Sequence, residues 1–127
     1  MMNCFFVKAD GRYKRISFNE IHYIEAFKNY LRIHVQGKFL LVHSSLKQFE
    51  EYLPAGRFFK IHKSYIVALD KITEFDFECV FIGSIQLPLS QNYFETLKSH
   101  LLIYCTERAG EKTSSFIKPD IYTNQVL

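Results

Sequence analysis

The 127-residue chain has no tryptophan, five glycines, three prolines and three widely spaced cysteines, Cys4, Cys79 and Cys105. So little glycine argues against loops that cradle phosphate with backbone N–H groups, and neither a P-loop nor a G-x-G-x-x-G pattern occurs. The G-x-S-x-G and H-E-x-x-H patterns of hydrolases and zinc proteases are missing too. An odd number of scattered cysteines, without a C-x-x-C pair, builds no disulfide framework and fits reduced thiols in the cytoplasm. No apolar run reaches the roughly 18 residues of a membrane span, and Met1–Phe6 lacks a basic-then-apolar leader. Excess charge of one sign is absent as well. The 16 basic and 13 acidic residues leave a net +3, which does not by itself single out a nucleic-acid binder. The expectation is a cytoplasmic, non-enzymatic protein with no cofactor and no membrane partner.

What the chain does have is aromatic residues: 13 Phe and 8 Tyr, which with the β-branched residues favour pleated surfaces. Strands are expected at residues 4–8 and 13–18, joined by a turn at Asp10-Gly11, and at 21–27, 30–35 and 38–43. If Gln36-Gly37 is a two-residue turn, Leu31 faces Val42 and Ile33 faces Leu40 on one side of a hairpin. Tyr30 then faces His43, Arg32 faces Leu41 and His34 faces Phe39 on the other. The first face is aliphatic and must be core, while the second is mixed. The period changes at Ser44, where Leu46, Phe49, Tyr52 and Leu53 repeat at helical spacing. Ser44 or Ser45 can cap it, with Gln48 three residues beyond Ser45 as in a capping box, and Pro54 and Gly56 end the helix. Residues 72–77, 79–82 and 85–89 read as further strands. Pro88 places the last at an edge, and Ser90 caps a final helix carrying Tyr93, Phe94, Leu97, His100 and Leu101. The fold class is therefore mainly β, with nine or ten short strands, a short central helix and a C-terminal helix. Residues 1–104 form the domain. Residues 105–127 read as a poorly ordered tail.

The chemistry-bearing residues are polar groups set between apolar runs. His22, His34, His43 and His62 could ligate a metal, but His34 and His43 lie about four pairs apart on the ladder, too far for one ion at ~3.3 Å per residue. Unrelated histidines are the expectation, and no metal site. Three polar segments share a design: Lys28-Asn29-Tyr30, Lys60 to Ser64 (Lys60, His62, Lys63, Ser64) and Ser90-Gln91-Asn92. Each follows a strand and precedes an apolar run, and each offers cationic, amide or hydroxyl donors to phosphates or base edges. Taken singly, each could be a solvated strand face or an edge-guarding lysine. Their recurrence favours nucleic acid, provided they converge.

The order Phe6-Val7-Lys8-Ala9-Asp10-Gly11, Ile21-His22-Tyr23-Ile24-Glu25-Ala26, Asn29-Tyr30, Ser45-Leu46, Leu53-Pro54, Phe58 to Val67 and Leu87-Pro88-Leu89-Ser90 resembles the LytTR (LytR/AlgR-type) DNA-binding domain of bacterial response regulators. The resemblance spans roughly residues 4 to 102. It implies an elongated β domain of about ten strands in small antiparallel sheets that inserts loops into successive major grooves, commonly on direct repeats. The implied function is sequence-specific binding of double-stranded DNA as the output domain of a two-component transcription regulator. It also implies a receiver domain in cis and a possible dimer on DNA. The implied contacts are Lys28, Asn29, Tyr30, Lys60, His62, Lys63, Ser64, Ser90, Gln91 and Asn92. The chain departs from the family pattern at Lys63 and Gln91, where arginine is usual, and at Ala68, where asparagine is common. The pattern begins within a few residues of Met1, which fits a freestanding domain or a piece of a longer regulator. The rival expectation is a protein-interaction module on the same fold with weakened DNA affinity, its tail acting as a docking segment.

Overall fold

The computed structural model describes residues 3–105. Most of the expected tail therefore lies outside the described residues. The described chain forms ten strands and two helices, in the order β1 (Cys4–Ala9), β2 (Arg12–Ser17), β3 (Ile21–Phe27), β4 (Tyr30–Val35), β5 (Lys38–His43), α1 (Leu46–Glu50), β6 (Phe58–His62), β7 (Tyr65–Ala68), β8 (Glu74–Phe75), β9 (Cys79–Ile82), β10 (Ile85–Pro88) and α2 (Gln91–Ser99). Three antiparallel sheets result: β1-β2, β10-β9-β8, and a five-stranded sheet ordered β5-β4-β3-β7-β6.

The five-stranded sheet organises the molecule because both of its faces carry apolar side chains. Ile24, Leu31, Ile33 and Ile66 lie on one face, wholly or almost wholly buried under β1, β2 and α1 with Val7, Ile16, Phe18, Leu46 and Phe49. Tyr23 and Val67 lie on the opposite face and pack with Ile61 on Val80, Ile82, Leu87, Leu89 and Leu97 of the second sheet and α2. Burying each such side chain contributes about 1.5–3 kcal/mol, so the two cores clamp β3, β7 and β6 from both sides.

The expected β4–β5 register is the observed one, residue for residue. The Lys60–Ser64 segment, expected as a polar tip between apolar runs, is the bend of a hairpin, with His62 opposite Tyr65 across a two-residue Lys63-Ser64 turn. Some elements are shorter than expected: β8 keeps only Glu74–Phe75 of the 72–77 strand, and α2 ends at Ser99, before His100 and Leu101. The helix expected to continue to Leu53 ends at Glu50, and Tyr52 and Leu53 continue in tight turns bonded to Phe49 and Glu50. Tyr52 is 73% exposed and Pro54 follows Leu53, which packs on the first core from the turn, so little rewards or permits further helix.

Candidate functional site

Antiparallel pairing decides where the polar segments lie. Strand β3 ends at the Lys28-Asn29 turn, and β7 begins at Tyr65 opposite Glu25, two residues before β3 ends. Both turns therefore protrude from one end of the five-stranded sheet. The Ala26 N–H donates to the Ser64 carbonyl at 2.8 Å, tying one turn to the other. Ser90 is tied in from the other side, its N–H donating to the Ile61 carbonyl at 2.9 Å. All three polar segments meet at this end.

A β-bulge makes the last junction. Phe59 pairs with Val67 and Lys60 with Ile66, but the next pair is His62 with Tyr65, leaving Ile61 as the extra residue. Ile61 plunges into the second core, fully buried, while His62 packs edge-on to the Tyr65 ring at 5.7 Å. Strict alternation would have sent His62 toward the face on which Lys60 lies; the bulge re-aims it. Lys60 and Lys63 consequently do not stand side by side. Lys60, half-buried, sits one step back opposite Ile66, and Lys63 is exposed at the turn itself.

His62 Nδ1 accepts the Ser64 N–H at 3.1 Å. A ring nitrogen that accepts carries no proton, so the neutral imidazole holds its hydrogen on Nε2. Lys28, Asn29 and Tyr30 are exposed, as are Gln91 and Asn92, and Ser64 and Ser90 are half-buried. Ser90 caps α2 through its backbone position, without a side-chain hydrogen bond.

Below the turns, Glu25 fastens three strands. Its carboxylate accepts from the Tyr65 hydroxyl at 3.3 Å, pairs with the Arg32 guanidinium at 3.5 Å and bonds His34 Nε2 at 3.1 Å. Burial and then the Glu25 charge push the Tyr65 and Tyr23 hydroxyls above the usual tyrosine range. Forty residues separate Glu25 from Tyr65, and no local pattern announced the pair. Sequence reasoning also missed His43, Ser44, Ser45 and Gln48, which line an open depression of about 400 Å³ with Lys28 and Asn29. The Tyr30–His43 pairing was the available signal, since it puts the end of β5 beside the Lys28-Asn29 turn.

A family model described as the LytTr DNA-binding domain matches residues 11–102. The chain belongs to that family. Among solved structures, the LytTr DNA-binding domain of a Bacillus cereus protein described as a methyl-accepting/DNA response regulator is similar, with a TM-score of 0.67 and 20% identity over 79% of this chain and 97% of that one. At that identity the likeness is one of fold. No curated protein matches. The LytTr match takes in all three polar segments, so the sheet end just described lies wholly within the family's span. Among the described residues no cluster of His, Cys, Asp and Glu could hold a metal ion, and no helix is long and apolar enough to cross a membrane.

Proposed function

We propose that this LytTr domain binds double-stranded DNA sequence-specifically, with the end of the five-stranded sheet set into the major groove. The observation carrying the reading is the joining of the three polar segments by the Ala26–Ser64 and Ser90–Ile61 backbone bonds. Spacing supports it. The Lys28-Asn29 and Lys63-Ser64 turns are two strand intervals apart, roughly 10 Å, within a major groove about 12 Å wide. Ser90–Asn92 beyond β6, and Ser44-Ser45 beyond β5, then fall on the flanking backbone. Lys28, Lys60 and Lys63 neutralise phosphates. Asn29, Tyr30, His62, Ser64, Ser90, Gln91 and Asn92 supply hydrogen bonds to bases or backbone. The setting is the output domain of a cytoplasmic bacterial response regulator, with a receiver domain in cis and two copies on direct repeats.

Selection from a random duplex library by mobility shift should enrich a recurring motif, and no enrichment at low salt rejects the reading. The Lys60→Ala/Lys63→Ala protein should bind all sequences more weakly and lose about 2 units of the log–log salt slope. A protein-docking module is the second reading, favoured by Lys63 and Gln91 standing where the family usually has arginine. A complex with protein that depends on residues 106–127, with no DNA shift, would select it.

A further inference from the structure

The two faces of the five-stranded sheet are not covered alike. One is covered across its width, with Leu40, Val42 and Phe58 partly buried at its margins. The other is covered over β7, β6 and most of β3, while its β4–β5 half and the Phe27 end of β3 are more open. There Phe39 is 51% exposed, Leu41 47%, and Phe27 and Tyr30 41% each. The register puts them on one surface: Phe27 opposite Tyr30, Tyr30 opposite His43, Arg32 opposite Leu41 and His34 opposite Phe39. Phe27 and Tyr30 lie side by side at one end, Phe39 lies four pairs along the ladder from Tyr30, and Leu41 lies between them.

Charge discriminates among occupants. The Arg32 guanidinium lies 3.9 Å from the Phe27 ring centre and 5.4 Å from that of Phe39, so a cation is held flat among the rings. Lys28 stands at one end of the surface, 5.4 Å over Phe27. At the other end Lys38 and Phe39 run into a depression of about 280 Å³ lined also by Lys14 and Arg15. Two acids lie nearby: Glu25 pairs with Arg32 and also bonds His34 and Tyr65, and Glu20, which accepts the Ser17 N–H, borders the depression, where Lys14, Arg15 and Lys38 outnumber it. Cations thus lead from Lys28 through Arg32, which lies over Phe27 and Phe39, toward the depression of Lys14, Arg15 and Lys38 at the β4–β5 turn end, with partly exposed rings along the way. The β4 ladder is six residues long, about 20 Å of track.

We propose that this open half-face is a second nucleic-acid site, and that it takes single strands. Exposed rings capture a base only through its flat face, and in a duplex those faces are stacked on their neighbours. The cations would follow the phosphates of an extended strand while Phe39, Phe27 and Tyr30 stack its bases. The surface adjoins the duplex-reading end and shares Lys28 and Tyr30 with it, but Phe39 and Leu41 belong to it alone, so variants at those two positions separate the functions. DNA and RNA share this chemistry, and the experiment separates them.

Fluorescence anisotropy of the full chain with labelled oligo-dT and oligo-rU of roughly 15 nucleotides should show saturable, salt-sensitive binding to one or both. Phe39→Ala should weaken it about ten-fold, and Leu41→Glu should abolish it by placing an anion on the track; neither should alter binding of a selected duplex. Lys63→Ala should do the reverse. In the unmodified protein, oligonucleotide should shift the ring resonances of Phe27 and Phe39, a readout that needs no variant. No anisotropy change at low salt, or one that both variants leave intact, overturns the proposal. So does self-association without strand binding that Leu41→Glu removes, which would give the face to a second copy of the chain.

Discussion

At His62 the turn backbone sets the tautomer of the ring. The Ser64 N–H occupies Nδ1, so the neutral ring carries its hydrogen on Nε2, and in the proposed duplex complex that donor would suit a phosphate oxygen or the acceptor edge of guanine. His62→Gln keeps a donor near the Nε2 position and should retain most duplex affinity. His62→Leu removes it and should cost about 1–1.5 kcal/mol, five- to ten-fold in Kd. Equal loss in both variants would mean that the ring packs against Tyr65 and reads nothing. Ring ¹⁵N shifts of the free protein should report the Nε2–H tautomer. His62, Lys63 and Ser64 stand out in the sequence as a polar island, but their division of labour does not. The bulge that sends Ile61 inward, and so turns His62 away from Lys60, answers a core formed by Val80, Leu87 and Leu97, residues about twenty or more positions downstream.

Among the elements, those whose geometry is fixed locally were the legible ones. The β4–β5 register follows from a two-residue turn and an aliphatic stripe, and the α1 start follows from the Ser45–Gln48 capping box; both are observed as expected. The β6–β7 hairpin was less legible because Lys63-Ser64 contains neither glycine nor asparagine to mark a turn. Its shape is imposed by β3, which pairs with β7 and reaches the turn through Ala26. The Lys28-Asn29 turn bears a related strain, since Lys28 has φ of +58°, a conformation that costs an L residue roughly 1 kcal/mol. Charge and conformation can be separated here. Lys28→Gly should raise stability by up to about 1 kcal/mol in urea unfolding, and Lys28→Asn by less, because asparagine tolerates the left-handed region. Both should weaken duplex binding alike and lower the salt slope by about 1 unit, since both remove one cation. If Lys28→Gly lost stability instead, the lysine side chain would be holding the turn together.

For the molecule as a whole, the sheet alternation foretold a two-faced layer but not its unequal covering. That depends on where β8, β9, β10 and α2 dock, a matter of long-range packing against Tyr23, Val67 and Ile61. Within the five-stranded sheet, the pairing of β3 with β7 places Tyr65 opposite Glu25, two residues along β3 from Tyr23, which gives the fold an alkaline limit. Burial first, and the Glu25 carboxylate second, raise the Tyr65 hydroxyl above its ordinary value near 10, and Tyr23 is raised in the same order of causes. The folded state therefore holds these protons more tightly than the unfolded chain. Their contribution is complete below pH ~10 and is lost as pH climbs through the raised folded-state values. Tyr65→Phe removes one of the two titrations together with its hydrogen bond to Glu25. At pH 8 it should be less stable than the parent by about 1 kcal/mol, the worth of that bond. In urea melts taken toward pH 11 the gap should close, because only the parent still has the Tyr65 proton to lose. Lysines that titrate in this range are common to both proteins and cancel in the difference. The absence of any gap at pH 8 would show that Glu25 is anchored by Arg32 and His34 alone, and that the tyrosine hydroxyl contributes nothing to holding β7 against β3 beneath the two turns.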